Sequence, residues 1–250
     1  MTHPPITQGA PRRLRNVLTC LRDPDVNGQP RFRRPRATIT VVTNRDEDLI
    51  AELQEARGFR RIEIAAELGD SQGDTGPDQL RRLLRESGPG TSDLRCTAIL
   101  ALAKRCRDEA HDDYAVAFRS KDAGTRDYAM LALSAYGRDG LWDEVAERLV
   151  KTLRNRKRRG SAPPSEVVVQ IVYLVRHAAN EPGRLARLAA SLRQHWAGLE
   201  PASGGHDNEQ WIKDYWPEAS PDGPSVNTLE LPDVSAMKRY VTTDPLFEPL

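Results

Sequence analysis

The sequence predicts an all-α chain, a right-handed α-solenoid of stacked helical pairs with flexible N- and C-terminal tails. Three observations lead there. Asp93-Leu-Arg-Cys-Thr-Ala-Ile-Leu-Ala-Leu-Ala-Lys-Arg-Cys106 recurs as Gly124-Thr-Arg-Asp-Tyr-Ala-Met-Leu-Ala-Leu-Ser-Ala-Tyr-Gly137, at an offset of 31 residues that sets Arg95 against Arg126, Ala98 against Ala129 and Leu100-Ala101-Leu102 against Leu131-Ala132-Leu133. Between residues 44 and 200 the large apolar side chains recur at helical spacing. Outside that stretch the chain turns rich in proline and charge, a composition too poor in apolar surface to offset the entropy of ordering.

Each copy is too short to bury its own apolar stripe. Ile99, Leu102 and Cys106, widened by Leu94, Ala98 and Ala101, form one face, and Met130, Leu133 and Gly137 repeat it. Stacking neighbours covers the flanks of such a face, and small residues at 98, 101, 129 and 132 let the helices approach closely. Periods of 20–50 residues are the mark of this architecture. The pattern resembles a HEAT repeat, in which a first helix and a turn lead to a second helix that opens on Asp-x-Arg or x-Arg and continues through Ala and Leu. The resemblance covers residues 78–137 and implies architecture more than activity. It also implies that Arg61, Arg95 and Arg126 pair with the adjacent turn as a structural ladder.

Residues 1–43 read as a basic arm. Arg12 to Arg36 holds eight arginines against two aspartates, most densely at Arg31, Arg33 and Arg34, where Phe32 among cations suits a base or a protein surface. Leu14, Val17, Leu18 and Leu21 allow one short amphipathic helix. Ala37 to Thr43 is β-branched and strand-like, yet no second strand follows to pair with it. Asn44 or Asp46 is a candidate N-cap for a helix through Leu49, Ile50, Leu53 and Ala56, stopped at Gly58. Phe59 to Leu68 is its partner, with Ile62, Ala65, Ala66 and Leu68 inside.

Pro77 to Glu86 and Ser92 to Cys106 form the next pair, and a short helix at Tyr114–Phe118 precedes the copy at 124–137. Trp142 to Leu153 then places Val145, Leu149 and Leu153 at i, i+4 spacing, and ends in Arg154, Arg156, Lys157, Arg158 and Arg159, five cations in six positions. Cations suit the carbonyl end of a helix, and such a cluster also suits phosphate or an acidic partner. Val167 to Ala178, apolar on most sides, is the matching second helix, and Arg184 to Leu199 the last strong one. Residues 201–216, with Trp211, Ile212, Tyr215 and Trp216, read as an aromatic C-terminal cap. Residues 217–250 read as an acidic disordered tail in which Leu246 and Phe247 form a candidate docking motif.

Composition narrows the function classes. Lys and Arg total 37 against 36 Asp and Glu, so net charge selects no partner. Mean hydropathy is −0.61, and no apolar run approaches the ~18 residues of a membrane span. Three cysteines, Cys20, Cys96 and Cys106, make no CxxC and read as buried thiols of a reducing compartment, which with the missing signal core implies a cytoplasmic protein. No nucleotide, hydrolase or zinc-protease motif is present, so neither catalytic nor metal residues nor cofactors are expected. His111-Asp112 lacks the further ligands of an HD phosphohydrolase, and the chain has no His-Glu pair of the kind that HEAT-type deoxyhypusine hydroxylases use for iron. HEAT-like alkylpurine DNA glycosylases need a tryptophan beside an acid in a basic cleft, for which Trp142 with Asp143 or Glu144, and Trp211 with Asp214, supply the residue types. The expected function is a non-catalytic adaptor or scaffold that holds a protein partner on the second helices at 92–106, 124–137 and 167–178. The alternative is nucleic-acid binding through the basic arm and the 154–159 loop.

Overall fold

The computed structural model describes residues 45–155, 166–179, 181–199 and 207–242, all within one unit that begins at Val42. Regular structure among them is entirely helical. Eleven α-helices run α1 Arg45–Glu55, α2 Phe59–Asp70, α3 Gly76–Leu84, α4 Ser92–Cys106, α5 His111–Phe118, α6 Ala123–Tyr136, α7 Trp142–Arg154, α8 Glu166–Arg176, α9 Pro182–Gln194, α10 Asn208–Tyr215 and α11 Val234–Thr242. None is long and apolar enough to cross a membrane. The strand-like segment 37–43 lies outside the described residues.

Neighbouring helices pack in a regular order. α4 lies between α2 and α6, and α6 between α4 and α8, while α3, α5 and α7 pack on α4, α6 and α8 respectively. The two sequence copies are thus α4 and α6, side by side. Ala98, Ala101, Ala129 and Ala132 are all buried at their interfaces. α2 and α4 approach closely at Gly69 of α2, where a Cβ would stand 2.8 Å from the Cα of Ala101; only glycine fits there.

Polar bonds between helices recur at close to the sequence interval of the apolar pattern. Ser92 Oγ donates to Asp122 and Arg95 Nε to Thr125 Oγ1, each 30 positions on. Arg81 Nε donates to Asp113, and Trp142 Nε1 to the Leu174 carbonyl, each 32 positions on. Asp122 is the N-cap of α6, accepting from the Thr125 amide at 2.8 Å. These bonds from Thr125, together with Ser92 and nearby Arg95, hold its carboxyl at about 2.

Asp46 is not an N-cap. It sits inside the first turn of α1, fully buried, and its carboxylate accepts from the Gly76 amide at 2.6 Å, from Arg105 Nη2 at 2.8 Å and from Ser71 Oγ. One acid therefore joins α1, the α2–α3 turn and α4. A second knot lies at the 137–141 turn. Tyr173 Oη donates to the Arg138 carbonyl and accepts from the Leu141 amide, and Arg176 Nη1 donates to the Leu133 and Ser134 carbonyls. This half-buried cation is offset by the carbonyl end of α6.

α8 is buried at every position from Val167 to Val175. α6, α7, α10 and α11 surround it. Trp211, Ile212 and Trp216, the apolar part of the expected cap, are interior and belong to the same core as α8.

The tail expected to be disordered from residue 217 is folded through residue 242. Short 3-10 turns at Pro217–Ala219 and Val226–Thr228 lead to α11, which packs on α6 and α8 with Met237 and Val241 fully buried. The reason is local patterning: Val234, Met237 and Val241 fall at i, i+3, i+7, one helical face. Averaging over an acidic tail hides that stripe.

Candidate docking surfaces

The site question for this chain is which helical faces remain open. α2 carries two apolar stripes rather than one. Ile64, Ala65 and Leu68 point into the core, whereas Phe59, Ile62 and Ala66 recur at i, i+3, i+7 on an outer face. Against that outer face α4 presents Thr97, Leu100, Ala101 and Lys104. Together they line a chiefly apolar groove of about 520 Å³. Phe59, 71% exposed, stands on its wall.

The α2 bank of the groove is held by a charge cluster. Arg60 donates to Glu52 at 2.7 Å, Glu63 at 3.1 Å and Glu67 at 2.9 Å, and Arg45 reaches Glu67 at 3.8 Å. Hydrogen bonding to Arg60 lowers the pKa of Glu52. On the α4 bank Lys104 faces Asp70 at 3.8 Å. Lys104 also lines a polar cleft of about 940 Å³ at the carbonyl ends of α2 and α4, and Tyr136 lines that cleft's other side. The ammonium of Lys238 in α11 lies 5.4 Å from the centre of the Tyr136 ring. Groove, cleft and the seat of α11 therefore follow one another across α2, α4 and α6 through shared residues.

A third surface opens where α5 and α7 stand apart over the first turns of α6. Phe118, Arg119, Arg126, Asp127, Glu144 and Arg148 are among its walls, in a cleft of about 940 Å³. Arg119 crosses it to Glu144 at 2.7 Å, and Arg148 lies between Glu166 at 3.0 Å and Asp127 at 3.9 Å. Burial, then the neighbouring Glu166, raises Asp127 to about 6. Cationic and anionic residues balance on these walls.

Of the predicted contact residues, Arg154 is exposed at the last position of α7. Arg156, Lys157, Arg158, Arg159, Arg31, Arg33 and Arg34, with Leu246 and Phe247, lie outside the described residues. Arg61 pairs with Glu86 at 2.6 Å and Arg95 reaches Asp122 at 3.6 Å, both in turns that flank second helices, while Arg126 donates to the Ser120 and Lys121 carbonyls. All three early arginines serve structural bonds.

The residue types that suit a glycosylase are not arranged as a cleft. Trp142 is buried, its edge bonded to Leu174 and its face covered by Arg187 with the guanidinium carbon 4.4 Å from the ring centre. Asp143 points outward to Arg187 and Glu144 to Arg119. Trp211 is interior and stacks on Tyr215, and Asp214 accepts from Gln210. His111 accepts from the Arg138 amide through Nδ1 at 3.0 Å, a structural bond. No group of His, Cys, Asp and Glu able to hold a metal ion occurs among the described residues.

The second-helix face also differs from its expected extent. α8 is enclosed and α11 covers part of α6, so among α4, α6 and α8 the apolar groove is bordered by α4, and α2 joins it. The Phe59, Ile62, Ala66 stripe was readable, because its positions are out of phase with the inner stripe. Grouping Ile62 and Ala66 with Ala65 and Leu68 concealed it. No protein-family model matches the chain, and no curated protein or solved structure does either.

Proposed function

We propose that this protein is a non-catalytic adaptor, a HEAT-like α-solenoid that holds a protein partner on the face formed by its second helices. The observation that carries this reading is the packing order. α2, α4, α6 and α8 follow one another side by side, with α3, α5 and α7 set against α4, α6 and α8. Bonds recurring 30 and 32 positions apart support the same repeat. A stack of this kind offers much surface and few convergent polar groups, which favours recognition over chemistry. The perturbed groups at its heart are engaged in structural bonds: Asp46 with Arg105, His111 with Arg138, and Tyr173 with the 138–141 turn.

Affinity capture of the full chain from its native lysate at low and high salt, with chemical crosslinking, tests this. A stoichiometric protein that persists at high salt and crosslinks to α2 or α4 is the expected result. Nucleic acid released by salt, with no constant protein beside it, would refute the adaptor reading, since phosphate contacts weaken steeply as salt rises.

A further inference from the structure

Resting on the reading of this face as one that holds a protein, we propose that the α2–α4 groove receives a second copy of this chain. The two copies form a two-fold dimer in which the Phe59 of each lies in the groove of the other. Three features of the molecule select this occupant.

The first is shape, because the patch carries a knob and a hole together. Phe59, 71% exposed, projects from the wall of a chiefly apolar groove of about 520 Å³, beside Ile62, Ala66, Leu100 and Ala101. A closed two-fold interface uses the same surface on both subunits, so that surface has to complement itself. An exposed aromatic next to an open apolar groove meets this requirement, and symmetry makes the insertion twice.

The second is charge. The groove walls carry Glu63 and Glu67 against Arg60 and Lys104. These sum to zero, so a strongly basic or strongly acidic partner gains nothing from them, whereas two copies of one balanced surface do not repel.

The third is direction. Both acids stand on α2, while Lys104 stands on α4 with Asp70 at 3.8 Å. Arg105 of α4 donates to the Leu68 carbonyl near the end of α2, so the two helices lie with their carbonyl ends together. A two-fold axis along the groove therefore sets each α2 on the α4 of the other copy without reversing it. Lys104 then faces the Glu67 end of the opposite α2. Phe59, at the other end of α2, enters the opposite groove beside Thr97 and Leu100.

Size fixes the strength of the pairing. The outer faces of two helices, each roughly 20 Å long, make a patch smaller than the ~800 Å² per partner of a stable complex. The dimer is therefore reversible, with half-association at roughly 10–100 µM. Below that range the face is open to another protein, and self-association competes with it.

Analytical ultracentrifugation of the full chain across roughly 1–500 µM brackets this range and should show a monomer–dimer equilibrium. Because symmetry repeats the contact, Phe59→Ala removes two anchors at once. At about tenfold each, the Kd should rise on the order of a hundredfold. Phe59 is exposed, so this variant keeps the fold. Val116, equally exposed at 72% on α5 and outside the groove, provides the control, and Val116→Ala should leave the Kd unchanged. In a mixture of isotopically labelled and unlabelled chains, filtered nuclear Overhauser contacts should join the Phe59 ring of one copy to the Leu100 and Ala101 methyls of the other. A monomer throughout the range, a dimer that Phe59→Ala leaves intact, or intermolecular contacts centred elsewhere would each overturn the proposal. A foreign protein captured on α2 and α4 by a chain that stays monomeric would overturn the second copy and leave the adaptor reading standing. The expected dimer, with no foreign partner in the lysate, would remove the adaptor reading and leave this occupant in place.

Discussion

Replacing Asp46 by alanine should cost this protein a large part of its stability. The carboxylate is fully buried and accepts from Arg105, Ser71 and the Gly76 amide. Arg105 is itself 89% shielded, since its side chain is only 11% exposed, and after the substitution it keeps only the Leu68 carbonyl and Ser71 Oγ. Removing one member of a buried ion pair typically costs about 3–5 kcal/mol, because the other charge stays behind uncompensated. The orphaned Gly76 N–H lies within that figure, at about 1–3 kcal/mol. Against a total of roughly 5–15 kcal/mol for a domain, Asp46→Ala should shift the urea midpoint well outside experimental error. The double variant Asp46→Ala with Arg105→Met should recover more than about 1 kcal/mol of the loss, since the stranded cation is gone. A pH series supplies an independent check. Burial pushes the Asp46 carboxyl up, but hydrogen bonds from Arg105, Ser71 and Gly76 outweigh it and hold the folded pKa below 3.8. The stabilisation is therefore present above pH 3.8 and is lost as pH falls through the folded value. Urea denaturation followed by far-UV circular dichroism compares the wild type with both variants. A single-variant loss below about 1 kcal/mol, or a double variant no more stable than Asp46→Ala, would refute this account of the knot.

Three further outcomes follow from the packing. Gly69→Ala places a methyl 2.8 Å from the Ala101 backbone and should destabilise by about 1–3 kcal/mol; an unchanged melting temperature would mean that α2 and α4 separate at little cost. Burial, then Arg176, pushes His177 down to about 4, so the unfolded chain protonates first near pH 6.5, and on the order of 3 kcal/mol of stability is lost between pH 6.5 and 4. His177→Gln should flatten that limb of the melting curve, and an identical slope would contradict the assignment. Burial raises the Cys96 thiol to about 12 and also raises Cys106, so in a Cys20→Ser background neither should react with an aromatic disulfide reagent until the protein unfolds.

Much of the helical order was legible because the apolar residues keep one helical period. Ser92–Cys106 runs between the residues its spacing predicts, and Trp142, Val145, Leu149 and Leu153 form the inner stripe of α7. Asp46 was misread because N-caps and buried ion-pair acids use the same residue type. What separates them is Arg105, 59 positions away, which no local pattern reveals. α11 was missed for a different reason. Its nine residues bury only Met237 and Val241, a weak signal in isolation, and it is held by α6 and α8 rather than by its own propensity. The open groove needed tertiary information too, because whether Phe59 faces a neighbour or water depends on where α4 lies.

The seat of α11 has a kinetic consequence. Contacts within the repeat join residues about thirty positions apart, so each pair can close soon after it is made, and local contacts favour rapid folding. The contact between Lys238 and Tyr136 spans about a hundred positions. On the ribosome, where N-terminal parts fold first, the surface of α6 and α8 that α11 covers stays open until the chain has grown through residue 242. During that interval it is free to capture another chain's helix in place of its own, and a variant with a weakened α11 would prolong that window.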